Sequence, residues 1–293
     1  REFVDAMHDI KSLETQLDAK AKLPARMAAR YTGYLWSHDV FWDLEIQPQT
    51  TLWHSWAYRN GYTLAVKSTG APMDFIAEDD DFNRYPFLIA PAYQMVSKAL
   101  ARKWRRYVEQ GGHLILTSRT GQKNELGQFP EGPWYAPVLD LIGDDVDGFD
   151  MLPPSASAQV TAGGKTHEWH RWADILTPRP GTQVLATYAD HYYAGKAAAT
   201  TRKLGKGSVT MIGVSTDDGE LEREIVRSVY QRAGVAIEDL PKGVFIDWRG
   251  GFDFMVNYNP QPFAPVLPPT AKIVHGQTPL APAQTLIWKD TSP

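Results

Sequence analysis

The sequence predicts an α/β fold in which a doubly wound, mostly parallel sheet is followed by a small C-terminal antiparallel β domain. From residue 24 onward, short apolar runs alternate with helical stretches, which is the rhythm of a parallel sheet covered by helices on both faces. One run, Phe87 to Ala90 (FLIA), contains no polar residue, as expected of a strand buried on both faces. Residues 241–293 hold only short strand-like runs separated by Pro and Gly, which indicates a separate β domain.

The composition limits the class of protein. With 293 residues, of which 43% are apolar and 22% charged, the chain lies in the ordinary globular range. A net charge of −4 and scattered Lys and Arg residues make nucleic acid an unexpected partner. The absence of cysteine excludes disulfides, thiolate metal sites and a cysteine nucleophile. No apolar run approaches the roughly 20 residues that span a bilayer, so no membrane partner is expected. No cofactor is predicted, and the compartment stays open between cytoplasm and periplasm.

The main sheet is predicted element by element from this rhythm. Its first half has four strands, at residues 30–36, 71–77, 87–90 and 113–117. Helices are predicted at residues 50–68 and 97–110, and Gly111 with Gly112 provides a left-handed stop for the second helix. The second half is predicted to contain paired strands at 183–188 and 197–203, a core strand at 207–214 and a helix at 219–233.

Both ends of the chain differ from this central part. Residues 1–23 have apolar side chains at helical spacing with no capping residue before them, and we expect a helix that ends a preceding domain or forms a linker. Pro241 marks a boundary, after which a hairpin is predicted at 244–248 and 252–258, with further strands at 271–275 and 284–288. The predicted domains are therefore 1–23, 24–240 and 241–293.

Aromatic residues follow the first predicted strand. Trp36, Phe41 and Trp42 stand at and just after its C-terminal end, where ligands gather in open parallel sheets. We therefore predict that Trp36 and Trp42 face a substrate or a neighbouring subunit. Plain packing in the core is the alternative.

The irregular stretch 118–154 is too long for a simple connector, since it exceeds the usual length of loops without function. It carries Phe129, Trp134 and Tyr135, residue types favoured at the centre of interfaces. These three aromatics are predicted to anchor an oligomer interface, and a loop packed on itself is the alternative.

Two kinds of polar pattern resemble metal sites, but no metal site is predicted. His167, Glu168 and His170 form an H-E-x-H cluster, but the spacing is not that of a zinc helix. We expect Trp169 and Trp172 beside it to pack and the histidines to form hydrogen bonds. The acidic runs 78–81 and 144–150 lack the calcium-loop pattern and are interpreted as solvated loops.

Four segments together resemble one known family. The segments are FLIAPAYQMVS (87–97), YVEQGGHLILTSRTGQKNE (107–125), GPWYAPVLDLIGDDVDGFD (132–150) and VFIDWRGGFDFMVNYN (244–259). In order and spacing they are similar to the middle and C-terminal domains of glycoside hydrolase family 42 β-galactosidases. The resemblance covers essentially the whole chain.

The resemblance implies a retaining hydrolase of terminal β-galactosyl groups. Such an enzyme has an N-terminal TIM barrel, a flavodoxin-like trimerisation domain (here 24–240) and a small β-sandwich-like domain (here 241–293). The two catalytic glutamates belong to the barrel, which does not fit into this chain, so no catalytic residue is assigned. The implied partners are two further copies in a homotrimer, the barrel of the same enzyme and, through the full-length enzyme, galactosides. Residues 1–23 would end the barrel or link to it.

The sequence leaves two alternatives to a non-catalytic assembly role. A galactoside-binding accessory module would use surface aromatics to hold sugar rings. An amidotransferase-like hydrolase is a remote alternative, because the middle domain also resembles that fold, whose nucleophile lies on the turn after a strand. Here that turn begins at Ser118, which would need a histidine base and has no G-x-S-x-G pattern around it.

Overall fold

The computed structural model describes residues 2–290 and divides them into two compact units. The larger unit contains residues 30–66 and 73–237, and the smaller unit contains residues 2–29, 67–72 and 238–290. No helix among the described residues is long and apolar enough to cross a membrane.

The elements are numbered in chain order. The helices are α1 (Glu2–Glu14), α2 (Ala25–Ala28), α3 (His38–Ile46), α4 (Ser55–Lys67), α5 (Lys98–Gln110), α6 (Leu139–Ile142) and α7 (Glu220–Arg232), with a short 3-10 helix at Phe82–Arg84. The strands are β1 (Thr32–Leu35), β2 (Met73–Ile76), β3 (Phe87–Ala90), β4 (His113–Thr117), β5 (Asp144–Asp150), β6 (Ala158–Ala162), β7 (Lys165–Pro178), β8 (Thr182–Tyr188), β9 (Ala197–Leu204), β10 (Gly207–Ile212), β11 (Val214–Thr216), β12 (Val244–Arg249), β13 (Phe252–Asn257), β14 (Ala271–His275) and β15 (Gln284–Asp290).

Five strands of the larger unit form the parallel half of its sheet, in the order β2-β1-β3-β4-β10. All four residues of β1 and of β3 are buried, as the apolar FLIA run predicts. Helix α5 packs on β4 and β10 through a stripe that includes Leu100 and Trp104. The predicted α/β fold is confirmed in this half.

The other half of the sheet is antiparallel, so the expectation of a mostly parallel sheet holds only for the five strands above. Strand β9 pairs antiparallel with β10 and with β8, and β5, β6, β7 and β11 extend the sheet, giving eleven strands within residues 2–290. The physical reason is the length of the connections. The turn between β9 and β10 contains only Gly205 and Lys206, and such a turn joins antiparallel neighbours, whereas parallel strands need a long crossover.

Several predicted elements differ from the structure. Helix α3 was not predicted, and the acidic run 144–150 is strand β5 rather than a solvated loop. Strands β6 and β7 were also missed. The described part of the N-terminal helix ends at Glu14 rather than at residue 23, and α4 begins at Ser55 rather than at residue 50.

The smaller unit contains one four-stranded antiparallel sheet within its described residues, in the order β12-β13-β15-β14. The expected sandwich-like arrangement of two sheets is therefore wrong for these residues. The core of the unit is closed by the N-terminal segment instead, since Met27 is buried against Ile246 and Trp288. Arg26 also forms an ion pair of 2.6 Å with buried Asp253.

Candidate interaction surface

The parallel strands create a crevice at one edge of the larger unit. From β1 the chain moves to β2 on one side and then to β3 on the other, so the strand order reverses between β1 and β3. Loops that leave the carboxyl ends of such strands diverge, and ligands of open α/β sheets bind in the crevice between them.

Helix α3 positions the aromatic residues that follow β1. Its N-cap is Ser37, whose hydroxyl accepts from the amide of Val40 at 3.3 Å. Val40 and Leu44 are buried on the inner side of the helix. Phe41 is half-buried and Trp42 is 57% exposed. The cap and the buried pair thus fix which side chains of α3 remain at the surface.

Five aromatic side chains form one contiguous patch, here named the aromatic surface: Trp36, Phe41, Trp42, Trp56 and Phe75. Ring centroids of Trp36 lie 5.6 Å from Phe41, 5.8 Å from Trp56 and 6.0 Å from Phe75. The ring of His38 lies 5.8 Å from Trp36 and 5.7 Å from Trp42, so it connects Trp42 to the patch. Trp56 is 67% exposed and Phe75 60%. A patch of exposed large aromatics is characteristic of an interaction site.

A buried arginine supports this surface from below. Arg59 is 2% exposed, and its guanidinium carbon lies 4.8 Å from the ring centroid of Trp36. None of its three side-chain nitrogens has a hydrogen-bond partner among the described residues. Burial lowers the pKa of Arg59. Attraction to the faces of Trp36 and Phe41 offsets part of the cost of burying this cation.

Beside the aromatic surface lies a cavity of about 660 Å³, here named the acidic pocket. Trp36, Phe75 and Tyr93 contribute aromatic walls. The carboxyl-bearing side chains that line it are Asp39, Glu78, Asp80 and Glu125. The Tyr93 hydroxyl donates to Glu78 at 2.6 Å, and burial is the main cause that raises the pKa of Tyr93.

The structure places Trp36 and Trp42 at one surface, where Trp36 is half-buried and Trp42 is 57% exposed. That both face a substrate or a neighbouring subunit stays a prediction. Sequence reasoning missed Trp56, Phe75 and Arg59 as parts of this surface. The helix predicted at residues 50–68 would include Trp53, but Trp53 is only 4% exposed and precedes α4, whereas Trp56 on α4 is 67% exposed.

The irregular stretch 118–154 gives a second, smaller aromatic patch. Phe129 is 47% exposed and Trp134 is 44% exposed, with ring centroids 6.0 Å apart. Tyr135 is fully buried and donates its hydroxyl to Asp174 at 2.6 Å, so the prediction that it anchors an interface is wrong. Tyr135 is buried because the buried carboxylate of Asp174 requires hydrogen-bond donors, and the Tyr135 hydroxyl is one of them.

Asp174 is the centre of a buried polar cluster. It accepts hydrogen bonds from Tyr135, from Trp172 Nε1 at 2.8 Å and from the amide of Arg119 at 3.0 Å. Burial raises the pKa of Asp174 to about 6. The guanidinium of Arg119 lies between the rings of Trp53 and Trp172, 4.4 and 4.5 Å from their centroids.

The turn after β4 is the position at which an amidotransferase-like fold would carry its nucleophile. Ser118 is fully buried there, and its hydroxyl lies 2.7 Å from that of Tyr58. Among the described residues no histidine hydrogen-bonds to Ser118, so the histidine base that this nucleophile would need is not in place. Positive φ falls on the next residue, Arg119, at 69°. This geometry gives the remote hydrolase alternative no support.

The H-E-x-H cluster lies on β7. Trp169 and Trp172 are fully buried, as predicted, and His170 Nδ1 lies 2.5 Å from a carboxylate oxygen of Asp217. His167 is buried, and its Nε2 has no hydrogen-bond partner among the described residues, contrary to the expected bond. No three His, Asp or Glu residues in this part of the chain are placed to hold a metal ion.

The larger unit is a mixed α/β sheet with an exposed aromatic surface, and the residues of the turn after β4 are buried. These are the features of an assembly domain. Comparison with known proteins agrees. The β-galactosidase trimerisation domain family matches residues 30–236, and the chain belongs to this family. The resemblance to family 42 β-galactosidases that the sequence shows is thereby confirmed.

Relatives of the chain are β-galactosidases. Beta-galactosidase BgaH of Haloferax lucentense is 27% identical over 242 residues, which are 82% of this chain and 36% of the relative. Beta-galactosidase BgaA of Clostridium cellulovorans is 31% identical over 217 residues, 72% of this chain and 31% of that protein. The solved β-galactosidase of Halorubrum lacusprofundi is 25% identical with a TM-score of 0.81, covering 94% of this chain and 41% of the other. The chain thus spans about a third of the length of the two sequence relatives.

Proposed function

We propose that this chain is the non-catalytic, assembly-forming portion of a family 42 β-galactosidase. The full-length enzyme would hydrolyse terminal β-D-galactosyl residues, while this portion joins three copies and braces the TIM barrel. The aromatic surface is the observation that carries the proposal, because three of its rings are more than half exposed and together offer a large apolar area. The family match supports it independently.

The finer description of the fold belongs to the same proposal. The five parallel strands follow the order 2-1-3-4-5 of flavodoxin-like sheets when β10 is counted as the fifth. We propose that residues 24–240 act as the flavodoxin-like trimerisation domain. Residues 241–293 would form a separate small β domain, and residues 1–23 would lead from the barrel.

The aromatic surface suits a subunit contact for a physical reason. A Trp side chain removes about 150 to 250 Å² from water on burial and has few rotatable bonds to immobilise. Trp42 and Trp56 would therefore be the main anchors, with Trp36 held in place beneath them by Arg59. Phe129 and Trp134 are proposed as a second, smaller contact.

Two measurements on the purified chain test this function: its hydrolysis of a galactoside and its mass in solution. The purified chain is incubated with an aryl β-galactoside, and its solution mass is measured by light scattering in the same buffer. We expect no hydrolysis above the blank and a trimeric mass. Hydrolysis that co-purifies with the chain would overturn the non-catalytic role, and a monomer at every concentration would overturn the assembly role.

A galactoside-binding accessory module is the second candidate. It is favoured by the acidic pocket, in which Trp36 and Phe75 could stack on a sugar ring while Glu78 accepts from its hydroxyls. Titration with galactose or lactose to millimolar concentration tests it through tryptophan fluorescence. A saturable change that is lost in Trp36→Phe but kept in Trp288→Phe would support this candidate, and an unchanged spectrum would contradict it.

A further inference from the structure

A closed ring of three copies places a requirement on the surface of each copy. Contacts in such a ring are heterologous, so two different surfaces of the same chain must fit each other. Our inference rests on the proposed assembly function and identifies such a pair of surfaces in the larger unit.

The first surface is the acidic pocket. Its four carboxyl-bearing side chains are exposed, and none forms an ion pair with Lys or Arg within residues 2–290. Lys103 is the nearby cation, but its ammonium donates to the backbone carbonyls of Glu78 and Asp80, at 2.5 and 2.6 Å. No Lys or Arg side chain lines the cavity. This charge pattern disfavours phosphate and attracts ammonium or guanidinium groups, which the aromatic walls also attract.

The second surface is the exposed side of α5, here named the basic face: Lys98, Arg102 and Arg105. These residues are spaced by four and three positions, so they share one side of the helix, while Leu100 and Trp104 are buried on the other. Lys98 and Arg102 are exposed and have no hydrogen bond or ion pair within the described part of the chain. Arg105 approaches Glu109 only at 3.8 Å.

The two surfaces are neighbours. Glu125 lines the acidic pocket and also a hollow of about 430 Å³ whose wall includes the basic face. Ser97 lines the acidic pocket and is the N-cap of α5. A contact close to a threefold axis requires two different surfaces that lie next to each other on the same copy and carry opposite charges.

We propose that the acidic pocket of one copy receives the basic face of the next copy, and that three such contacts close the ring. Arg102 and Lys98 are the cations that enter, and Glu78 and Glu125 are the carboxylates that meet them. The aromatic surface beside the pocket then buries its rings against the same neighbour. Charge complementarity would give the contact its register, and the aromatic rings would supply most of its apolar area.

Charge reversal tests this pairing in the full 293-residue chain. Three variants are compared by light scattering over a concentration series: Glu78→Lys with Glu125→Lys, Lys98→Glu with Arg102→Glu, and all four changes together. Each double variant places like charges opposite each other, so we expect its assembly to weaken at least about tenfold. The fourfold variant restores opposite charges and the native net charge, and we expect it to recover the trimer.

A mixture of the two double variants adds a signature of the ring. In the mixture, a copy of one double variant fits a copy of the other, whereas two copies of the same variant repel each other. Two kinds of copy cannot alternate around a ring of three positions, so at least one contact in such a ring joins like copies. We therefore expect the mixture to form pairs but not closed trimers. Lys203→Glu with Lys206→Glu is the control for charge alone, because both side chains are exposed, one near the end of β9 and one on the β9–β10 turn. Circular dichroism checks that each variant is folded.

The outcomes separate the two proposals. A native trimer that neither double variant weakens would overturn the pairing and leave the assembly function standing. Weakening without recovery in the fourfold variant would also overturn the pairing. A native chain that never assembles would overturn the assembly function itself.

Discussion

Three carboxyl groups of the larger unit are buried. Burial raises the pKa of Asp144 and of Asp174 to about 6 and that of Glu222 to about 7. Each pKa in the folded state lies above the ordinary pKa of the group. Each group therefore contributes its full stabilisation when the pH is below its ordinary pKa. It is lost as the pH rises through the folded-state pKa. These groups therefore make the fold less stable at neutral pH than at mildly acidic pH.

Glu222→Gln tests this at a single residue. Glu222 is 5% exposed and accepts from the amide of Thr216 at 2.7 Å, a bond that the amide oxygen of Gln can keep. The native protein loses the contribution of Glu222 between pH 4.5 and about 7, whereas Gln does not titrate. We expect the free energy of unfolding of the variant, relative to native, to rise by roughly 1 to 3 kcal/mol across this range. Urea unfolding at several pH values measures it.

The control is Glu224→Gln on the same helix, where the side chain is partly exposed at the surface. It is expected to keep the native dependence of stability on pH. If the free energy of unfolding depended on pH equally in the native protein and in Glu222→Gln, Glu222 would not be the group that causes this dependence.

Single residues also mark the limit of sequence reasoning about the site. Trp42 could be predicted to face outward because it follows a buried strand at a sheet edge. Tyr135 looked equally suited to an interface, but its burial depends on Asp174, 39 positions along the chain, and such a long-range donor requirement leaves no local pattern. Arg59 gave no signal at all, since its stacking on Trp36 exists only in the folded unit.

Elements could be predicted where their burial was uniform. Strand β3 was placed at its observed bounds because its residues are all apolar. Strand β4 was placed at its observed bounds because its central residues 114–116 are apolar. Strand β7 was missed because HEWHRW has the composition of a polar cluster, although its side chains alternate, with His167 and Trp169 buried and Glu168 exposed. Strand β5 was missed because its acidic residues suggested solvent, although they alternate with residues that face the protein.

Helix α3 and its aromatics lead to a prediction at the element scale. Trp42→Ala removes an exposed anchor without opening the core, so we expect assembly to weaken at least about tenfold while the thermal midpoint stays nearly unchanged. Light scattering and thermal unfolding measure the two quantities. Tyr192→Ala is the matched control, because Tyr192 is 84% exposed and lies outside the aromatic surface. Equal effects of the two substitutions on assembly would contradict a specific role for α3.

The smaller unit leads to a second element-scale prediction. Met27 follows the N-terminal helix in the chain and is fully buried in the core formed with β12, β13 and β15. Met27→Ala should destabilise this unit by about 2 to 5 kcal/mol, since it leaves a cavity. Hydrogen exchange should accelerate at amides of β13 and β15. Met7→Ala, at a position 48% exposed, should leave them protected, and equal protection in both variants would contradict the role of Met27.

At the scale of the whole molecule, the fold and the family support one interpretation. The parallel half of the sheet positions α3 and the acidic pocket at one edge, and the antiparallel half buries the Asp174 cluster below the turn after β4. Of that second half, the sequence predicted β8 and β9 as paired strands. It missed β5, β6 and β7, because these strands are partly polar and their pairing is set by contacts between distant segments. The assembly interpretation needs only the exposed edge, at which Trp36 and Trp42 lie, and that these two residues face a neighbouring subunit stays a prediction.

The solution mass of the purified chain tests this interpretation most directly. Light scattering over a concentration series should give a mass near three times 32.8 kDa, decreasing only on dilution. A mass that stays at 32.8 kDa at every concentration would contradict the central claim that this chain assembles through its own surface.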